Sequence, residues 1–290
     1  MLVLSKGYEW GWKSNTTLIC IMGSLIGFGA FMLRIKSITH PVLNIHLLKN
    51  YKFFGLILIP VVASFTFVTL LTYFPTYLTG SMQLSASTSG LIMLLLTAPV
   101  LVCPLLAGKL SSKGISTHFL IYFSVFSMIL GAIILITAIT FQTPLFGIAI
   151  ALILIGIGMG LSAGLVDGQA LSCVAESEVG MAAGLLNTFR LGSEAIAVAM
   201  YGSLFSSAVS KIAPLTLNGE HLQDTETWVN AIASGNLSLA NNHISLQHTL
   251  IEIYNQAFIT TNMLLTLIGT IITILAILYL KRNCRNINSL

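Results

Sequence analysis

Two ionisable residues stand deep inside an apolar stretch of this sequence. Arg190 and Glu194 lie four apart, each about ten or more residues into a run that opens near Gly180. On a helix that spacing puts both on one face, where they can neutralise each other. If the face meets water instead, the pair is a polar site able to attract a cation or pass a proton. Asn187, one turn earlier, falls on the same face. Asp167 closes the preceding apolar run and reads first as a helix-end carboxylate in water, second as a gating or coupling group.

Other chemistries find little support. Gly160-Leu161-Ser162-Ala163-Gly164 matches the G-x-S-x-G pattern of serine hydrolases, with His118 as a base at similar depth. That pattern requires a strand–turn–helix setting, whereas here it lies within an apolar helix. His221, His243 and His248 are too loosely spaced to indicate a metal site and read as part of a solvated loop. Cys20, Cys103, Cys173 and Cys284 show no paired spacing. No acid, base and nucleophile converge, so the reading is of a non-enzyme without metal or cofactor.

The elements that must position Arg190 and Glu194 follow from composition. Of 290 residues, 56% are hydrophobic and 8% charged, and the mean hydropathy is +0.92. Ordinary soluble domains carry about 25% charge. So little charge cannot cover this much apolar surface in water, so the chain is an all-α integral membrane protein. The net charge of +4 therefore carries no implication of nucleic acid binding.

Charges fence off the spans. Residues 14–33 carry none, which fits one helix of about twenty residues. Residues 53–108 carry none and need two spans, with a break predicted at Phe74-Pro75-Thr76-Tyr77 running on to Ser81 and Ser87. Residues 114–166 also need two, divided at Thr140-Phe141-Gln142-Thr143-Pro144, with Pro144 expected in the first turn of the second. Further spans are expected at about 180–205 and 256–280, giving about seven. A polar loop at about 207–255 separates the last two.

With the C-terminus cytoplasmic, Arg34, Lys36, Lys49, Lys52, Lys109, Lys113, Lys281, Arg282 and Arg285 all fall inside. Lys6, Lys13 and Lys211 fall outside, a clear positive-inside bias. Gly156, Gly160 and Gly164 recur every fourth residue, and Gly180 and Gly184 repeat the pattern. Small residues so spaced let helices approach closely in lipid. Pro60, Pro99 and Pro104 lie inside spans and permit bends.

The order of these features resembles the fourteen-helix drug–proton antiporters of the major facilitator superfamily. Gly11-Trp12 is similar to the outer loop before the eighth helix. Arg34, Pro41-Val42-Leu43 and Lys49-Asn50-Tyr51-Lys52-Phe53 resemble the inner connection to the ninth. Ser87-Thr88-Ser89-Gly90-Leu91 resembles the opening of the tenth. Gly108-Lys109-Leu110-Ser111-Ser112-Lys113-Gly114 resembles a worn G-x-L-x-D-R-x-G inner-loop motif, one residue short and with Ser112 where aspartate is expected. Gly156-Ile157-Gly158-Met159-Gly160 resembles the glycine-rich twelfth helix. Gly184-Leu185-Leu186-Asn187-Thr188-Phe189-Arg190 resembles the thirteenth.

The resemblance implies a linker region over 1–50 and a C-terminal six-helix bundle over 51–290, without the N-terminal bundle. It further implies a partial, proton-coupled exporter of small amphipathic or cationic compounds in the cell membrane. Its partners would be the bilayer and either a separate N-terminal half or a second copy. The competing outlines are a seven-helix receptor and a non-transporting scaffold. A retinal protein needs a lysine in its last span, and 256–280 contains none.

Overall fold

Long apolar runs leave a chain in lipid one local solution, because each backbone N–H and C=O must be satisfied within its own segment or a closed barrel. In the computed structural model, which describes residues 14–37, 45–216, 232, 235 and 244–287, every regular element described is helical. Seven long helices follow in order: α1 (Asn15–Ser37), α2 (Tyr51–Gly80), α3 (Ala86–Ser112), α4 (Thr117–Thr140), α5 (Leu145–Leu171), α6 (Val179–Thr216) and α7 (Ile244–Ile287). Six of them, α2 to α7, are long and apolar enough to cross a membrane. In α1 the apolar part is Asn15–Phe31, near the lower limit for a span.

The charge-free runs thus place the helices, while their ends differ in detail. Pro75 does not break α2, which continues to Gly80. The turn comes at Ser81–Ser85, where Met82 and Leu84 donate back to the Tyr77 and Leu78 carbonyls and Gln83 takes φ 53°. Pro144 stands one residue outside α5, as its extended cap, rather than in the first turn. Helices enter the polar segment from both sides, since α6 runs to Thr216 and α7 starts at Ile244. Within that segment Ile232 is buried in the core and Gly235 lies against Gly80. His221, His243, Glu220, Asp224 and Glu226 lie outside the described residues, and His248 is exposed on α7.

Packing divides the bundle. α5 lies against α3 and α4, and α7 lies against α2 and α6. Tyr279 of α7 stacks on Tyr51 at 5.9 Å and meets Phe54 edge-on at 5.0 Å, joining the end of α7 to the start of α2. Lys52, Lys109, Lys113 and Lys281 therefore gather at one end of the bundle, while Lys211 on α6 lies toward the other. Large apolar side chains such as Leu101, Leu105, Phe126 and Leu278 point outward. That is the arrangement expected when lipid replaces water as the outer solvent.

Candidate functional site: a charged cavity between two irregular helices

Two helices lose their regularity at the same level. In α2, Pro60 supplies no N–H, and one turn later Ser64–Val68 widens into a π-helical turn. Hydroxyls bridge the carbonyls there: Ser64 donates to Pro60, Thr66 to Val62 and Thr69 to Phe65 at 2.9–3.0 Å. In α5, Ala163 turns extended (ψ 128°) and Gly164 takes φ 81°, so the helix breaks and restarts. Only glycine reaches that backbone region without a Cβ penalty.

Between these irregular segments and α6 lies a cavity of about 120 Å³, bordered by Pro60, Ser162, Gly164, Asp167, Arg190 and Glu194 among others. The Arg190 guanidinium (Nη2) donates to Asp167 Oδ1 at 2.5 Å, a charge-assisted contact tying α6 to α5 beyond its break. Both side chains are about a third exposed. Beneath them the hydroxyls of Ser64 and Ser193 lie 2.8 Å apart, and Ser193 also reaches the Arg190 carbonyl. The π-turn of α2 is thereby locked to the turn of α6 that carries the arginine.

This geometry corrects the pairing expected from spacing. Arg190 pairs with Asp167, twenty-three positions away, rather than with Glu194. Asp167, four residues before the end of α5 and about a third exposed, is also an inter-helix partner. Among the described residues the Glu194 side chain forms no ion pair or hydrogen bond, though it borders the same cavity. Asn187 is exposed and outside the cavity lining.

The glycines divide into two groups. A Cβ on Gly156 would lie 2.3 Å from the Leu96 carbonyl oxygen, and one on Gly160 2.7 Å from that of Pro99, so both hold α5 against α3. Gly164 continues their spacing but packs on nothing; it makes the break. Among the described residues, Gly180 and Gly184 likewise meet nothing within 4 Å, so the close-packed face their spacing predicts has no partner there. Gly131 and Gly158, by contrast, seal α4 to α5, a contact invisible in the four-residue pattern.

The inner-loop motif turns out to cap α3. Gly114, at φ 90°, donates to Ser111 and Ile115 donates to Leu110, both at 3.1 Å, the paired bonds of a Schellman cap. Gly108, Lys109 and Lys113 are exposed around it, away from the charged cavity. His118 begins α4 at the same basic end, within reach of the Lys52 charge.

The structure is a helical bundle of membrane-spanning length, with charged residues gathered where α5 breaks and α2 widens. The chain belongs to the Major Facilitator Superfamily, whose family model matches residues 8–198. It is similar to the multidrug transporter protein MdtP of Bacillus subtilis, at 25% identity over 71% of this chain and 38% of the relative. It is also similar to the uncharacterised MFS-type transporter YvkA of the same organism, at 24% identity over 72% and 44%. The chain thus spans less than half the length of these relatives. Family membership makes it a multi-pass membrane protein of a transporter family and sets aside the receptor outline.

Proposed function

We propose that this chain forms the C-terminal bundle of a proton-driven exporter of small amphipathic or cationic compounds, with Glu194 on the pathway. The supporting observation is a carboxyl group without a partner among the described residues, beside a closed ion pair in one cavity. Asp167 already neutralises Arg190, so Glu194 is left to meet a cation or a proton. Intramembrane ionisable residues are costly and mark substrate or ion routes by default. The printed name of one relative, a multidrug transporter, agrees with this class.

Transporters of two pseudo-symmetric halves hold their sites at the interface between halves. A second bundle of that kind would close the cavity here. The gathering of Lys52, Lys109, Lys113 and Lys281 at one end of the bundle supports a cytoplasmic position for that end under the positive-inside rule.

The test is energy-dependent loss of a fluorescent lipophilic cation from efflux-deficient bacteria. Cells carrying the chain with a matched N-terminal half lose dye faster than cells carrying either alone, and Glu194→Gln removes the gain. Equal loss with the chain alone would indicate a homodimer. Full activity of Glu194→Gln would remove that residue from the pathway.

A further inference from the structure

The basic end of the bundle carries cations that the charged cavity does not use. Three mutually packed helices meet there, with Phe53 of α2, Ile121 of α4 and Leu280 of α7 in one buried cluster. A few residues or less along the chain from these stand Lys52 on α2, His118 on α4 and Lys281 on α7. The tight turn between α3 and α4 adds Lys109 and Lys113. It is held by the Gly114 cap and by a 3.4 Å contact between the Ser111 and Thr117 hydroxyls.

Lys52 and His118 are half-buried, and close enough for the Lys52 charge to act on the imidazole. Among the described residues neither they nor Lys109, Lys113 and Lys281 form an ion pair. The carboxylates at this end, Glu176 and Glu178, belong to the connection between α5 and α6. No side chain caps α4 at Ser116, so the N–H groups of its first turn add to the positive field. The positive-inside rule asks only that basic residues lie on the cytoplasmic side. It does not ask two of them to sit half-buried side by side, where like charges repel unless an anion meets them.

Below His118 the outer face of α4 is aromatic. Phe119 and Phe123 stack with centroids 6.4 Å apart, Phe126 follows on the next turn, and all three are exposed. A basic rim above an exposed apolar strip matches a phospholipid, with phosphate above and acyl chain below. We infer that this end of α4 holds one anionic phospholipid, its phosphate among Lys52, Lys113 and His118 and an acyl chain along Phe119 and Phe123. Anionic lipids are concentrated in the cytoplasmic leaflet, and basic pockets between membrane helices bind their head groups. The two lysines supply point charges and His118 supplies a ring N–H donor. A lipid so placed ties the start of α2 to the turn between α3 and α4. The site lies away from Glu194 and stands whether or not the chain transports.

The experiment is native mass spectrometry of the purified full chain, titrated in detergent with phosphatidylglycerol or with phosphatidylcholine of the same acyl chains. The wild type should hold one phosphatidylglycerol about tenfold more tightly than phosphatidylcholine. Lys52→Gln and His118→Gln should each weaken that lipid about fivefold, the worth of one charge near a membrane surface. Lys211→Gln, toward the other end, should leave it unchanged, with thermal melting used to confirm that each variant folds. Glycerol phosphate, which has the anion and no acyl chains, should not displace the lipid even in molar excess. Equal retention of the two lipids, displacement by glycerol phosphate, or an affinity unmoved in both Lys52→Gln and His118→Gln overturns the inference.

Discussion

The two halves of α5 share one sequence rhythm and perform opposite tasks. From Leu145 to Ser162 the helix is wedged between α3 and α4, with Gly156, Gly158 and Gly160 so close to neighbouring backbone that no larger residue fits. After the break at Ala163–Gly164 the same helix borders a cavity and carries Asp167 to Arg190. In the first half a glycine means contact; in the second it means freedom of backbone. The difference teaches that four-residue glycine spacing marks a face, while the neighbouring helix decides whether that face is sealed or open. A sealed half gives the open half something rigid to move against.

The largest effect should come from filling the seal. Gly156→Ala brings a methyl group against the Leu96 carbonyl and should cost about 3 kcal/mol or more, read as a lowered melting temperature in detergent. A neutral result would mean that the tight half is not tight.

Removing one partner of the ion pair comes next. Asp167→Asn strands a half-buried guanidinium and should cost about 1–3 kcal/mol, below the range for fully buried pairs because both groups are partly exposed. The double variant with Arg190→Gln should recover part of that loss. A double-mutant cycle with no coupling would dissolve the link between α5 and α6.

Gly164→Ala tests the open half. No neighbouring atom resists the methyl group, so only the positive-φ backbone is penalised, at about 1–3 kcal/mol. Efflux should fall further than that loss of stability implies, because the break positions Asp167. Gly180→Ala and Gly184→Ala should change stability by less than ~0.5 kcal/mol, since nothing stands near either. A large loss in either would show a packing partner outside the described helices.

Much of the fold was legible because hydropathy and charge act locally: a run without charge is a helix in lipid whatever surrounds it. Helix ends were less so. Pro75 looked like a break, yet proline is tolerated within a membrane helix, and the turn waited for Gln83. The candidate site was legible by residue type and not by partnership. Arg190 and Glu194 stood out as charges among apolar neighbours, but the partner of Arg190 sits on another helix, and only the packing of α5 on α6 brings it near. The π-turn at Ser64–Val68 left a trace in Pro60 and the hydroxyls after it. The stack of Tyr73, Tyr201 and Phe205 left none, since Tyr73 lies on a helix far away in sequence and a pair four apart, such as Tyr201 and Phe205, also describes an ordinary core.

The central claim is that the cavity beside the Asp167–Arg190 pair is a water-accessible pathway reached by Glu194. The direct test places a single cysteine at position 194 in a chain whose four native cysteines are replaced. A membrane-impermeant cationic thiosulfonate reagent is then applied to membrane vesicles of both orientations, with Ala197→Cys, fully buried on the same helix, as the control. The account predicts rapid labelling at 194 and none at 197. A folded protein unreactive at both positions would contradict it.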